Sequence, residues 1–401
     1  MKKGLRILHT SDWHLGKSFF SRKLTQVQAR LFEEEIFPLL KEVRPDVFVV
    51  SGDIVDKPNP DYETLQLLKE VLLFLSKERI NSLFILGNHD SKRISLFKEF
   101  LEGLNIWFFD DLSGFFSPLK VEGETGDKVY LFAFPYLPLF ELIECGGDAV
   151  KVMQSKNEDI TYKEVVRVLF DWVKARVERL RKEGMCICVG HFAVSKGALS
   201  GEEEVFAVGH EEVVSEKILS TFDVSLLGHL HRMQELPNCV FYSGSPMPYS
   251  FDESTCEKGM WLLEVKEGKI LKKEKVLLSS PVEVRVLKGR FNELISHRPL
   301  TGFVKVILLD EVPVFRAFER LKRVFPNLLA LEYETKPEAL EDKTLEFLDE
   351  KVYREGKISL GEEELFVEFL RFVKGKGEHQ ELKKVFKEVL KEFKERKNGL
   401  K

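Results

Sequence analysis

The chain has 401 residues, with 61 basic and 66 acidic side chains, a formal net charge of -5 and 44% hydrophobic residues. That content excludes a disordered chain, and the acidic excess excludes a globally basic nucleic-acid binder while leaving room for a local basic groove. No stretch reaches the roughly 20 apolar residues that cross a bilayer, residues Met1 to Gly4 turn polar too early for a signal peptide, and the five cysteines show no CxxC pattern and read as reduced thiols, so a cytoplasmic protein is expected.

In chain order, β-rich runs are predicted at Leu5–His9, Val47–Ser51, Leu83–Leu86, Val129–Phe134, Met185–Val189, Val224–Leu227, Val240–Tyr242 and Met260–Val265. Between the early ones lie helical patterns such as Tyr62–Lys77, with Leu65, Leu68, Val71, Leu72 and Leu75 at helical spacing. Alternation of strand and helix predicts an α/β core, and the close succession of the later strands predicts a partly antiparallel sheet. The expected division is a core domain over 1–278, a small β-α-β unit over 279–340 and a charged linker over 341–358. The β-α-β unit is read from strands at Phe303–Leu309 and Leu328–Tyr333 around a helix at Val314–Val324. A helical module over 359–401 follows, with apolar stripes at Leu365, Phe366, Phe369 and at Leu382, Phe386, Leu390, Phe393. Such a pair of amphipathic helices either folds back on its own chain or docks a partner helix.

The chemistry-bearing residues fall just after strands, where α/β sheets place their ligand sites. They are Asp12-Trp13-His14, Gly52-Asp53, Gly87-Asn88-His89-Asp90, Gly190-His191 and Gly228-His229-Leu230-His231. Imidazole and carboxylate together suit divalent ions such as manganese, iron or zinc, and the lack of cysteine disfavours a structural zinc. Asp12, His14, Asp53, Asn88, His191, His229 and His231 make seven candidate ligands, too many for one ion. A carboxylate shared between two ions roughly 3.5–4 Å apart uses them all. His9, His297 and His379 are not ligand candidates, and His210 stays unassigned. Ser11 to Ser18 imitates a phosphate loop but has Ser11 where that motif needs glycine and a bulky interior.

This ordered series resembles the calcineurin-like metallophosphoesterase superfamily. The segments ILHTSDWHLGK, VVSGDIVDKPNP, LGNHDS, LGHLHR and YSGSPMPYSFDE more closely resemble the SbcD family, nuclease subunits of the bacterial SbcCD double-strand-break repair complex. The resemblance implies a four-layer α-β-β-α sandwich holding two divalent ions, with manganese as the expected metal. It implies one ion on Asp12, His14, Asp53 and His231, and a second on Asp53, Asn88, His191 and His229, bridged by Asp53. It makes His89 the catalytic histidine, oriented by Asp90. Relatives that carry a second catalytic histidine three residues after the bridging aspartate have it where this chain has Asp56, so no such role is assigned. The implied activity is double-strand exonuclease and single-strand endonuclease hydrolysis of DNA. It also implies a capping domain, a homodimer, and terminal helices that hold the SbcC-type coiled-coil ABC ATPase in a nucleoid-associated heterotetramer.

Lys17, Arg22, Lys23, Lys57, Lys92 and Arg93 follow the first three motifs and are the expected phosphate contacts. The competing function is a small-molecule phosphodiesterase or phosphomonoesterase on the same fold, and the units added beyond the core argue against it.

Overall fold

The computed structural model describes residues 4–20, 22–154, 160–195, 197–198, 213–311, 314, 316–334, 366–367, 369–371 and 380–398. The chain divides into two compact units, Met1–Val284 and Arg285–Lys401.

The first unit is built on two six-stranded sheets. One runs Lys269–Leu277, Gly259–Lys266, Leu5–Thr10, Val47–Ser51, Ser82–Ile85, Ile106–Phe109. Its last four strands are mutually parallel, and the Gly259–Lys266 hairpin arm joins them antiparallel. The other runs Gln234–Leu236, Val240–Tyr242, Val224–Gly228, Met185–His191, Lys128–Phe134, Leu119–Glu122, with four parallel strands between antiparallel edges. Alternate side chains of both sheets share one buried cluster: Leu5, Ile7, Val47, Val49, Leu83 and Ile85 from the first meet Leu131, Ile187, Val189 and Leu226 from the second. The sheets therefore pack face to face.

Helices cover the outer faces. Phe132, Phe134, Cys186 and Cys188 on the second sheet cluster with Val165, Leu169, Phe170, Val173 and Val177 of the helix Tyr162–Leu180. On the first sheet, Trp13 sits over Phe48 and Phe84 with ring centroids 6.2 and 5.8 Å away, and Phe32 packs edge-on against it at 5.0 Å. The result is the α-β-β-α sandwich. Burial pushes the Cys186 thiol up to about 12, so it stays protonated and behaves as a small apolar residue.

Helix ends obey local chemistry. The predicted helix at Tyr62 begins where the Asp61 carboxylate accepts from Thr64 N at 3.0 Å, and it runs Tyr62–Glu78 to a left-handed Arg79. The eight strands predicted in this unit are present, within two residues at their ends. Those at Ile106–Phe109, Leu119–Glu122, Gln234–Leu236 and Lys269–Leu277 were not predicted. Lys269–Leu277 is largely exposed and lysine-rich, so it has no buried face to print a period on the sequence; pairing with Gly259–Lys266 makes it a strand.

The second unit holds a three-stranded sheet, Val284–Gly289, Phe303–Leu308 and Leu328–Tyr333, whose core includes Val304, Val306, Leu321 and Phe325. The predicted helix is shorter, Ala317–Leu321, and it starts late because Arg316 takes a left-handed φ of 50°. The helix Gln380–Asn398 brings Phe386 onto Phe366, with ring centroids 3.9 Å apart and planes 8° apart. The 341–358 stretch, Leu365 and His379 lie outside the described residues, as does the side chain of Phe393. Among the described residues no helix is long and apolar enough to cross a membrane.

Candidate metal centre

Parallel strands deliver their carboxyl ends to one edge of each sheet, and five of those ends converge. The turns are forced into unusual backbone: Asp12, His14, Asp53 and His229 all adopt positive φ, of 53°, 43°, 51° and 92°. Non-glycine residues hold that conformation at some cost in strain, and it aims their side chains inward. The glycines of the motifs make room. Gly52 has φ +87°, and a Cβ there would lie 2.3 Å from His191 Nδ1. A Cβ on Gly87 would lie 2.2 Å from Asp53 Oδ1.

The seven candidate ligands come together. His14 Nε2 is 3.1 Å from His231 Nε2 and 3.4 Å from Asp53 Oδ2. His191 Nε2 is 3.4 Å from Asp53 Oδ2 and 3.0 Å from Asn88 Oδ1, and that amide oxygen is 3.1 Å from His229 Nδ1. Asp12 joins through Oδ1, which accepts from the His229 N–H at 2.9 Å. Ligand atoms of Asp12, His14 and His231 lie within 4.8 Å of one another, as do those of Asp12, Asp53 and His191. Asp12, His14, Asp53 and His191 are almost fully buried, Asn88 is exposed, and His89 and His229 are half-buried, so the cluster opens on the Asn88 side.

These atoms fit divalent cations. His191 Nδ1–H donates to the Ser51 carbonyl at 2.8 Å, so in the neutral ring Nε2 presents a lone pair to two acceptor oxygens. Acceptors facing acceptors at such distances need positive charge between them. Without an ion, a proton on Nε2 supplies that charge. Burial opposes charging His191, yet the Asp53 carboxylate outweighs it and holds the ring up, to about 9. Burial also works against Asp53, but His191 and His14 beside it keep its carboxyl well below the usual range.

Three other rings are held neutral. Burial lowers His9 to about 3, His14 to about 4 and His229 to about 3. A histidine whose folded pKa is depressed contributes stability above its unfolded value, and that contribution is lost as pH falls. Burial raises Asp12 and Asp90, which opposes the trend with fewer groups. The metal-stripped protein is therefore expected to lose thermal stability as pH falls from about 6.5 toward 4. A melting temperature that is flat or rising over that range, measured in chelator, contradicts this.

Two expectations about neighbouring residues are corrected. Asp90 does not orient His89: its carboxylate accepts from the N–H groups of Gly87, Ile54 and Val55 at 2.9, 3.1 and 2.9 Å, tying the second and third motif loops together. The His89 ring is oriented instead by the Asp56 carbonyl, 3.0 Å from Nδ1, while its backbone N–H donates to Asp53 Oδ1 at 2.9 Å. Lys17 is not a phosphate contact on the surface. It is 8% exposed, with Nζ 3.1 Å from Asp56 Oδ1. Among the other proposed cations, Lys23 is paired with Asp61 and Glu63, and Lys92 with Glu141, each at 2.7 Å. Arg22, Lys57 and Arg93 are exposed and make no ion pair among the described residues. His210 lies outside those residues.

A supporting shell that no sequence motif marks surrounds the donors. Asp56 Oδ1 is 3.5 Å from His14 Nδ1; burial works against this carboxylate, but the His14 ring and Lys17 hold it down to about 2. Gln28 donates to the carbonyls of Trp13 and His14 and to the Tyr249 hydroxyl. A buried amide bonding three loop oxygens is a structural signal, visible only once the loops are placed.

Comparison with known proteins agrees with this geometry. The calcineurin-like phosphoesterase family signature matches residues 5–233, and the chain belongs to that family. Within it, the chain is similar to proteins named as the SbcD component of the nuclease SbcCD, the branch its motifs resemble. It is 27% identical over 334 residues to the one from Staphylococcus epidermidis, covering 82% of this chain and 85% of that protein. It is 28% identical over 341 residues to the one from Staphylococcus saprophyticus subsp. saprophyticus, with the same coverage of each.

Proposed function

We propose that the protein is a metal-dependent DNA nuclease that hydrolyses phosphodiester bonds during double-strand-break processing, with exonuclease action on duplex ends and endonuclease action on single strands. The observation that carries this is the convergence of seven nitrogen and oxygen donors on one open edge in a chain similar to nuclease subunits. In this reading Asp12, His14, Asp53 and His231 hold one ion, and Asp53, Asn88, His191 and His229 hold the second, with manganese the expected metal. When bound, the ions supply Lewis-acid charge at the phosphate and acidify the attacking water.

The chain's own residues do the rest. Asp53 lies between the two donor groups and sets their spacing. The strained loops hold the donors before substrate arrives, so little reorganisation accompanies reaction. His89 donates Nδ1–H to the Asp56 carbonyl, which leaves Nε2 to hold or pass a proton at the departing sugar oxygen. With manganese supplied, linear duplex DNA should be degraded far faster than a chromogenic phosphodiester. The reverse ranking supports a small-molecule phosphoesterase instead.

Arg22, Lys57 and Arg93 are the cations best placed to meet phosphates, with Phe20 exposed beside Arg22. Reversing all three charges is expected to weaken DNA binding and flatten the slope of log affinity against log salt by about 0.9 per lost contact. An unchanged slope removes them from the groove.

The protein is further proposed to act in the cytoplasm as a homodimer bound to a coiled-coil ABC-type ATPase. Leu96, Phe97 and Phe100 expose 67%, 68% and 70% of their surface along one short segment, which suits a self-association face. Phe366, Phe369, Leu382, Phe386 and Leu390, with Leu365 and Phe393, are the proposed ATPase contacts. Removing residues 360–401 should abolish ATPase co-purification and spare hydrolysis. A truncated chain that still captures the ATPase refutes the docking role.

A further inference from the structure

The segment from Tyr242 to Glu253 supplies none of the candidate ligands, yet it closes around one of them. Glu253 and Lys258 are 2% and 6% exposed. Glu253 Oε1 lies 3.3 Å from His231 Nδ1, and Oε2 accepts from Lys258 Nζ, from Ser245 Oγ at 3.0 Å and from Tyr249 N at 3.3 Å. Lys258 Nζ also donates to the His231 carbonyl at 2.9 Å and to Ser245 Oγ at 2.7 Å. His231 is thus held at both ends, its ring by the carboxylate and its backbone by the ammonium.

Stability alone is a weak reason for this arrangement. Taking both charges out of water is expensive, and well-packed apolar residues in place of such a pair are often neutral or stabilising. The geometry offers a chemical reason. A carboxylate at Nδ1 makes that nitrogen the donor, so the lone pair stays on Nε2. Nε2 is the atom that faces His14 Nε2 at 3.1 Å, and His231 clusters with His14 and Asp12.

We propose that Glu253, whose buried charge Lys258 balances, is a positioning residue, which fixes the tautomer and orientation of His231 so that its Nε2 is presented to a divalent cation. This rests on the metal reading above and extends it to a pair outside the ligand set.

Two measurements on the full chain test it. In the metal-free protein, ¹⁵N spectra of the histidine rings should show His231 protonated at Nδ1; the Nε2–H tautomer overturns the proposal. In manganese titrations followed by electron paramagnetic resonance, E253M/K258M removes both charges and the acceptor. It should lose ~10–100-fold in affinity for one ion. E253Q/K258M is equally neutral but keeps an acceptor oxygen for Nδ1–H, and it should bind close to wild type. A merely structural pair would lower the melting temperature of both variants and leave their ion affinities alike, and equal affinities overturn the proposal. If the methionine pair fails to fold, the tautomer measurement decides. A wild-type chain that binds no manganese refutes the metal reading itself, a result distinct from wild-type binding that the two variants share.

Discussion

Asp53→Asn is expected to remove hydrolysis and to weaken divalent-ion binding by more than the ~10–100-fold typical of losing an outer-shell partner. The reason is placement. The Asp53 carboxylate lies 3.4 Å from both His14 Nε2 and His191 Nε2, so one substitution takes an anionic oxygen from both donor groups. Asparagine keeps the size and one acceptor but not the charge, so a fold change in affinity reads the electrostatics rather than the packing. The same variant has a signature without metal. His191, held up to about 9, contributes stability that is full below its unfolded value near 6.5 and is lost as pH rises through about 9. That decline should be present in the metal-free wild type and absent from the variant. Wild-type ion affinity in Asp53→Asn, measured by manganese titration, would exclude a bridging role.

His89→Ala is expected to cut the rate by ~10²–10⁴, the usual worth of a positioned proton donor, while ion binding survives. The structure makes this test sharp, because ligand-capable atoms of His14, Asp53 and His89 also lie within 4.8 Å of one another. A histidine acting on the leaving oxygen leaves ion stoichiometry intact when removed; a histidine acting as ligand does not. Loss of one bound ion in the alanine variant would move His89 from proton transfer to coordination. The ring hydrogen-bonds to a backbone carbonyl, that of Asp56, so its orientation does not depend on any other side chain's charge.

Much of this protein is readable before folding, for identifiable reasons. Buried parallel strands such as Val47–Ser51 must be apolar throughout, and a helix such as Tyr62–Glu78 must bury one face, so both print their period on the sequence. The donor residues are legible because each sits in a short turn just after such a strand, often behind a glycine. Gly52 and Gly87 show why: a side chain at either would collide with His191 or Asp53. Exposed edges such as Lys269–Leu277 have no such constraint and stayed hidden.

Roles that depend on which loops become neighbours were not legible. Asp90 stands next to His89 in sequence, yet its carboxylate reaches across to Ile54 and Val55. Lys17 follows a ligand motif like a substrate cation, yet Asp56, on another strand's loop, turns it inward. Glu253 reaches His231 across 22 residues of chain.

By itself, then, the sequence determined the strands, the helix faces and the ordered set of donors, because burial and metal affinity constrain residue type locally. Only the tertiary structure decided which charges meet. A buried charge takes its partner from whichever loop packs against it, and that neighbour is chosen by the folding of both sheets rather than by distance along the chain.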